Sequence, residues 1–403
     1  MSQRSALANP DYRRYFIASS FATLAVWMTR FMFGWLIWET TESFLWVGVA
    51  SASILFPSLL ITPIFGVISD RINLKIGVIA WLASQALVTL VTLLVFEFVG
   101  QSLPLLLLMT FLFGCVAAAG SPLRLTLIPK LVNAAELPNA VGWGAMLFNT
   151  SRIVAPAIAA WCLTLFPPQW VFILCTLAFI CAGIINAGLP NVQGVVKKSS
   201  TSGWQDFIAG IQYCWASPMI RVLFILTLTN SQVARSLMEL LPALSGTLTT
   251  GTAADLATLT GCAGAGSIVG GWYISRQRGA VSTLINLLAF AMFSTALLLV
   301  PMLFSMPVWP MAVLVGGVSL FMTVLGTGSQ IVLQLTSDDS KRGRVMSLWL
   351  TIALVGPAIG ALIMGGIAEW FGFPVMLILM LALSLASALW LKTSASSFNS
   401  DTR

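Results

Sequence analysis

The chain has 403 residues, of which 58% are hydrophobic and 8% are charged, and its formal net charge is +7. Soluble domains carry about 25% charged residues, so this composition excludes a soluble globular protein. The sequence has no histidine, its six cysteines show no CxxC spacing, and no basic cluster is interleaved with aromatic residues. We therefore expect no metal site, no cofactor and no nucleic-acid partner.

Twelve apolar stretches are long enough to cross a bilayer as helices. They cover residues 15–38, 44–68, 76–99, 103–123, 139–165, 169–189, 219–244, 254–274, 280–303, 308–332, 345–368 and 372–391. This pattern predicts an all-α membrane protein with twelve transmembrane helices, which we call spans 1 to 12, joined by short polar loops.

The distribution of Lys and Arg predicts the orientation of these spans. With the N-terminus in the cytoplasm, no outer loop contains Lys or Arg, and seventeen of the twenty basic residues lie at cytoplasmic ends. The positive-inside rule then predicts a multi-pass protein of the bacterial cytoplasmic (inner) membrane, with the N- and C-termini both cytoplasmic.

The longest loop is polar at first and then amphipathic. Its apolar residues recur at helical spacing at Trp204, Phe207, Ile208, Ile211 and Trp215. That spacing is typical of an amphipathic helix on the inner membrane surface. We therefore predict three parts: an N-terminal six-helix repeat (1–189), a cytoplasmic linker with this helix (190–218), and a C-terminal six-helix repeat with a short cytoplasmic tail (219–403).

The two sets of six spans share short motifs in the same order. A five-residue motif, with proline at its second position and arginine at its fifth, occurs at the start of each set. It covers residues 9–13 before span 1 and residues 217–221 at the start of span 7. Residues 155–160 in span 5 correspond in the same way to residues 356–361 in span 11. Motifs repeated in order indicate a six-helix duplication. Parallel six-helix repeats with a binding site near the membrane midplane are a transporter architecture.

Three motifs carry a resemblance to a known family. Residues 66–75, Gly-Val-Ile-Ser-Asp-Arg-Ile-Asn-Leu-Lys, resemble the signature of the loop between spans 2 and 3 in the major facilitator superfamily. The small residues around Pro156 in span 5 are similar to the antiporter signature of that family. Residues 122–137 resemble the branch that contains enterobactin-type siderophore exporters and macrolide efflux pumps. The resemblance covers nearly the whole chain, and it implies a major facilitator fold, alternating access and export.

The resemblance also implies a conformational latch in the loop after span 2. It assigns Gly66, Asp70 and Arg71 to this latch between the two halves. Asp70 would then lie near the start of span 11, with Arg344 as a candidate partner. The alternative is a solvated turn whose charges only follow the inside-positive rule.

Three arginines, Arg30, Arg152 and Arg235, lie inside apolar spans. An arginine at the centre of a transmembrane helix costs about 2.5–3.5 kcal/mol, so we expect all three to face the bundle interior or a wet cavity. A guanidinium donates bidentate hydrogen bonds to carboxylates and phosphates, which predicts an anionic substrate. The alternative is that they brace the bundle by bonding backbone carbonyls. The other predicted substrate contacts are their neighbours Trp27, Phe31 and Asn149.

Glu239 is the carboxylate that we place within the hydrocarbon layer, four residues after Arg235. A buried carboxylate beside an arginine can bind and release a proton, so we predict that Glu239 couples transport to protons. The alternative is a permanent ion pair between the two side chains.

Small residues and prolines predict close helix contacts at a moving interface. They are Gly142, Pro156, Gly266, Gly270, Pro357 and Gly360. We expect the small-residue face of span 8 to pack against the small face of span 5.

These features predict a secondary active transporter. An enzyme would need a nucleophile, an acid–base pair or a metal site, and the spans do not supply one. We expect export of a small anionic, siderophore-like metabolite across the inner membrane, driven by the proton gradient, by a monomer embedded in the lipid bilayer. The alternatives are a multidrug or macrolide efflux antiporter and a lipid flippase.

Overall fold

The structure is a computed structural model that describes residues 5–193, 212–249, 251–277, 281–338 and 341–400. Within these ranges every named secondary-structure element is a helix, so the predicted all-α class is confirmed. Ten helical segments in the described residues are long and apolar enough to cross a membrane.

The described part of the first half contains one 3₁₀ turn and seven α-helices. They are the 3₁₀ turn Ala6–Ala8, α1 (Pro10–Thr41), α2 (Phe44–Leu55), α3 (Pro57–Ser69), α4 (Leu74–Phe98), α5 (Leu103–Leu131), α6 (Leu137–Leu165) and α7 (Gln169–Asn186). Helices α2 and α3 together form one span, which is interrupted at Phe56. The interruption lies directly before Pro57, which has no N–H with which to continue the helical hydrogen bonding.

The described part of the second half contains eight α-helices. They are α8 (Pro218–Asn230), α9 (Ser236–Glu239), α10 (Leu241–Leu248), α11 (Ala253–Ser275), α12 (Val281–Leu299), α13 (Val308–Thr336), α14 (Arg342–Phe371) and α15 (Phe373–Ser400). A π-helical turn, Ser231–Arg235, joins α8 to α9, and a 3₁₀ turn, Pro301–Leu303, follows α12.

Span 7 differs from the continuous helix that the sequence predicts over residues 219–244. The π-helical turn shifts the backbone hydrogen bonds after Asn230, and Leu240 leaves the helical region with φ −90° and ψ 8°. Helix α10 then begins with Pro242 in its first turn, and proline cannot donate a backbone hydrogen bond. The span is therefore built from three helical pieces and one π-helical turn.

Span 8 corresponds to α11, which has 23 residues. Its length is sufficient to cross a membrane, but its many small and polar residues lower the hydropathy. The ten apolar segments correspond to spans 1–6 and 9–12. Helices α8–α10 make up span 7 and α11 makes up span 8, so the helices follow the order of the twelve predicted spans.

Packing divides the chain into two compact units. The first unit is Met1–Glu42 with Ala50–Lys198, and the second is Ser43–Val49 with Ser199–Arg403. In the first unit Phe33 of α1 packs against Phe113 of α5 and Phe172 of α7, with ring centroids 5.7 and 6.0 Å apart. The second unit has a buried aliphatic core to which α8, α12, α13, α14 and α15 all contribute.

The second unit includes the start of α2, which packs against α14. The Ser43 hydroxyl donates to a carboxylate oxygen of Glu369 at 2.9 Å. A Cβ added to Gly365 would lie 2.6 Å from the carbonyl oxygen of Phe44, so the two backbones touch directly. Only glycine permits such an approach between helices.

The predicted linker lies mostly outside the described residues, which resume at residue 212. Residues 212–216 are helical, while nothing is described for 194–211, so the predicted amphipathic helix and the three-part division stay predictions. The first linker residues pair with the loop before α4. The Leu74 N–H donates to the Val192 carbonyl at 2.8 Å, and the Asn73 amide donates to Asn191 at 3.1 Å.

Candidate functional site

In the first unit, Arg30 lies over the ring of Trp27, which packs against Phe148, and we call these three residues the Trp27 cluster. The Arg30 guanidinium carbon lies 5.1 Å from the centroid of the Trp27 ring, one helical turn away on α1. Trp27 packs edge-on against Phe148 of α6, with centroids 5.4 Å apart. A cation over an indole face is stabilised by the ring quadrupole. The Trp27 ring, which itself packs against Phe148, therefore places a positive charge over its face.

The indole nitrogen of Trp27 is an unused donor in this cluster. Nε1 is buried and has no hydrogen-bond partner among the described residues. Leaving a buried donor unpaired costs about 1–3 kcal/mol. An acceptor group on a ligand would remove that cost, so the cluster offers a cation and a neutral donor side by side.

The other predicted contacts of the first unit have different surroundings. Arg152 is half-buried on α6, one turn beyond Phe148. Asn149 is exposed, and its amide donates to the Ala145 carbonyl of its own helix at 2.9 Å. Phe31 is only 7% exposed and belongs to the buried core. The structure thus brings Trp27 and Arg30 together, while Phe31 packs in the interior.

In the second unit, Arg235 is the last residue of the π-helical turn, and a backbone carbonyl accepts a hydrogen bond from its guanidinium. Its Nη1 donates to the Ala353 carbonyl of α14 at 3.1 Å. A Cβ added to Gly326 of α13 would lie 3.0 Å from Nη2, so the guanidinium passes directly over that glycine. Glu239 is near enough to interact with Arg235 electrostatically. The arginine therefore has both a bracing contact and a charged neighbour.

Two amides flank Arg235 at the same turn. Asn230 donates to the Met322 carbonyl of α13 at 3.3 Å, and Gln232 donates to the Gly356 carbonyl of α14 at 3.2 Å. The Asn230 side-chain oxygen is buried and has no partner among the described residues. π-Helical turns are frequent at functional sites, and this one gathers a cation and two amides in one place.

The predicted packing residues of the second unit make close contacts there. A Cβ on Gly360 would lie 3.0 Å from the Ser231 carbonyl oxygen, so α14 touches the π-helical turn, and Pro357 is buried in the same stretch of α14. Cβ atoms on Gly266 and Gly270 of α11 would overlap carbonyl oxygens of α13. Within the second unit, the small-residue face of span 8 therefore packs against α13, a partner that the sequence did not indicate. The contact with span 5 stays a prediction.

The predicted packing and latch residues of the first unit have looser surroundings. Pro156 is buried within α6, but a Cβ on Gly142 or on Gly66 would meet nothing within 4 Å among the described residues. Asp70 is half-buried at the end of α3, and Arg71 is exposed. The side chain of Arg344 is not among the described side chains. The latch therefore stays a prediction.

Sequence reasoning missed Phe148, Asn230 and Gln232. Phe148 lies four residues before Arg152, so the helical spacing of α6 places both on one face and could have indicated it. The two amides gave no such signal, because their roles depend on the π-helical turn. Among the described residues, no three His, Cys, Asp or Glu side chains come together as metal ligands would.

Comparison with known proteins identifies the family. The sequence profile of transmembrane secretion effectors matches residues 1–402, nearly the whole chain. The chain belongs to the transmembrane secretion effector family. This family is of the major facilitator type, and the chain is a membrane transporter and not an enzyme.

A curated relative of this secretion effector family protein is the staphyloferrin A transporter of Staphylococcus aureus (strain NCTC 8325 / PS 47). The two are 24% identical over 363 residues, which cover 89% of this chain and 90% of the relative. A similarity of this extent over nearly full length supports a common transporter architecture.

Solved structures with the same fold include transporters of low sequence identity. The nucleoside transporter NupG has a TM-score of 0.70 at 10% identity, covering 96% of this chain and 99% of that chain. A bacterial homologue of the iron transporter ferroportin, in an inward-facing state, has a TM-score of 0.70 at 14% identity, covering 96% and 98%. These similarities establish the fold of the secretion effector protein.

Proposed function

We propose that the protein exports a small anionic metabolite, of the carboxylate-rich siderophore class, across the bacterial inner membrane by alternating access. In this proposal it works as a monomer with both termini in the cytoplasm. The observation that carries the proposal is the placement of two cations within transmembrane helices: Arg30 against the Trp27 indole, and Arg235 against the Ala353 carbonyl.

The Trp27 cluster supports binding of a carboxylate. Arg30 keeps its guanidinium against the Trp27 ring, and the unused indole N–H lies in the same cluster. A carboxylate has two oxygens that accept hydrogen bonds, so it can satisfy both kinds of donor. A cationic drug would be repelled by the guanidinium, which favours a carboxylate over the macrolide alternative.

Arg152 and Arg235 would extend this recognition to a ligand with several carboxylates. Arg235 uses Nη1 on the Ala353 carbonyl, and a guanidinium has five N–H donors, so further donors remain for a ligand. The named relative transports staphyloferrin A, which supports the siderophore class for this chain.

Glu239 is our candidate for proton coupling. It interacts electrostatically with Arg235, so binding a proton at Glu239 would change the charge that a substrate meets at this turn. Exchange of a proton for an anion at the same place gives a physical route to antiport.

The first test is the content of the growth medium of a deletion strain under iron limitation. We expect the chelator to be absent from the medium, to accumulate in the cells, and to be restored by the wild-type gene but not by the Arg30→Gln variant. Unchanged chelator levels would remove the siderophore class, and a changed resistance to macrolides would then support the efflux alternative.

A further inference from the structure

A groove lies at one end of two neighbouring spans of the first unit, away from the Trp27 cluster. It is an open groove lined by the last turns of α4, the start of α7 and Pro167 before it, with a volume of about 500 Å³. Its walls are apolar and aromatic except for two residues, Glu97 and Gln169. The substrate proposal assigns no role to this groove.

The two polar residues contact each other and leave one hydrogen-bond acceptor without a partner among the described residues. The Gln169 Nε2 donates to a carboxylate oxygen of Glu97 at 3.4 Å, which is a long contact. The Gln169 Oε1 is buried and has no partner among the described residues. The groove therefore has an exposed carboxylate and, next to it, a buried amide oxygen without a partner among the described residues, and both accept hydrogen bonds.

This arrangement selects a primary ammonium group. An ammonium carries three N–H donors and a positive charge, so it can bond Glu97 and Gln169 together. Trp170 also lines the groove, and an indole face attracts a cation. An anion would be repelled by Glu97, and an apolar group would leave the Gln169 oxygen unpaired.

The position of the groove indicates that the ammonium group belongs to a lipid headgroup. Phe98 is 80% exposed at the end of one candidate span, and Trp170 is 54% exposed at the start of another. Aromatic residues concentrate at the boundary between lipid headgroups and acyl chains. Leu94 on α4 and Leu174 on α7 are exposed beside this boundary and offer an apolar path along the helices.

We propose that the groove binds an aminophospholipid, with its primary ammonium on Glu97 and Gln169 and its acyl chains along α4 and α7. The ammonium group of the headgroup would pair with the carboxylate of Glu97, the one acidic residue among the described residues that line the groove. A quaternary choline headgroup has no N–H donor and leaves the Gln169 oxygen unpaired, so the groove discriminates between the two lipids.

The test measures which lipid remains on the full-length protein. Wild-type protein is purified from vesicles of equimolar phosphatidylethanolamine and phosphatidylcholine, and the retained lipids are counted by native mass spectrometry. We expect phosphatidylethanolamine to be retained preferentially. Glu97→Gln should lower that preference about tenfold, because it replaces a charged hydrogen bond by a neutral one.

Two further variants separate this site from a general effect. Gln169→Leu removes the unpaired oxygen and should also lower the preference, whereas Glu39→Gln removes an exposed carboxylate outside the groove and should leave it unchanged. Equal retention of both lipids by the wild type, or equal preference in Glu97→Gln and Glu39→Gln, would overturn the proposal. Displacement of the lipid by free ethanolamine would identify a soluble amine as the ligand and would also overturn it.

Discussion

At the scale of single residues, the protein keeps cations inside its membrane spans by giving each a specific neighbour. Arg30 lies on the Trp27 ring at 5.1 Å, and Arg235 donates to the Ala353 carbonyl at 3.1 Å. Such neighbours reduce the cost of removing a guanidinium from water. A guanidinium carries five N–H groups, so it can hold a protein neighbour and contact a ligand at the same time.

Replacing Arg30 by glutamine should weaken transport of an anionic substrate. Loss of a charged hydrogen bond costs about 1.5–3 kcal/mol, which corresponds to a roughly ten- to hundredfold lower apparent affinity. Uptake of a labelled carboxylate chelator into everted vesicles measures this change. Arg221→Gln, in the first turn of α8, is the matched control. Equal affinities in both variants would contradict a binding role for Arg30.

Replacing Glu239 by glutamine should remove the dependence of transport on the proton gradient. Glutamine has a similar shape and cannot titrate, so substrate binding should persist while the response to an imposed pH gradient is lost. Glu39→Gln is the control, because that carboxylate is exposed at the end of α1. If the Glu239→Gln variant still responds to the gradient like wild type, then another group carries the proton.

The sequence indicated the charged members of the candidate site but not all of the neighbours that the structure gives them. An arginine in an apolar span is visible in the sequence because it is rare and costly there. Phe148 shares a face of α6 with Arg152, which is visible in the sequence, but its contact with Trp27 depends on the packing of α1 on α6. Phe31 follows Arg30 directly, but adjacent helical residues point in different directions, and it packs into the core.

At the scale of elements, glycines decide how closely the helices of the second unit approach. Gly266 and Gly270 of α11 lie against carbonyl oxygens of α13, and the hydroxyls of Ser267 and Ser319 join the same two helices at 2.7 Å. Small residues allow such approach in membranes, where packing and hydrogen bonds replace the hydrophobic effect.

Adding one methyl group at Gly266 should therefore destabilise the protein. In Gly266→Ala the new Cβ overlaps the Gly316 carbonyl, and the two helices must separate, at a cost of about 1–3 kcal/mol. Gly261→Ala on the same helix is the control, since its Cβ meets nothing within 4 Å among the described residues. Thermal unfolding in detergent should show a lower midpoint for the first variant alone. Equal midpoints would show that α11 and α13 are not this close.

Hydropathy predicted where the helices are, but not how span 7 is built. The position of each span follows from its apolar length, since a helix satisfies its backbone groups within the membrane. A π-helical turn adds one residue to a hydrogen-bonded loop and leaves the apolar pattern nearly unchanged, so Ser231–Arg235 gives no signal. The small-residue pattern likewise predicted a close contact for α11 without identifying α13 as the partner.

At the scale of the whole molecule, the chain consists of two compact units that each carry a cation within a span. The first unit holds the Trp27 cluster, and the second holds Arg235 at its π-helical turn. Membership of the transmembrane secretion effector family makes the protein a membrane transporter, and the arginines give the proposal its anionic substrate.

The most direct measurement of that proposal compares two labelled compounds in everted membrane vesicles that contain the protein. Transport into such vesicles corresponds to export from the cell. We predict that an iron-free carboxylate chelator accumulates when a proton gradient is imposed, and that a cationic macrolide does not. Accumulation of the macrolide without the chelator would contradict the anionic substrate and support drug efflux instead.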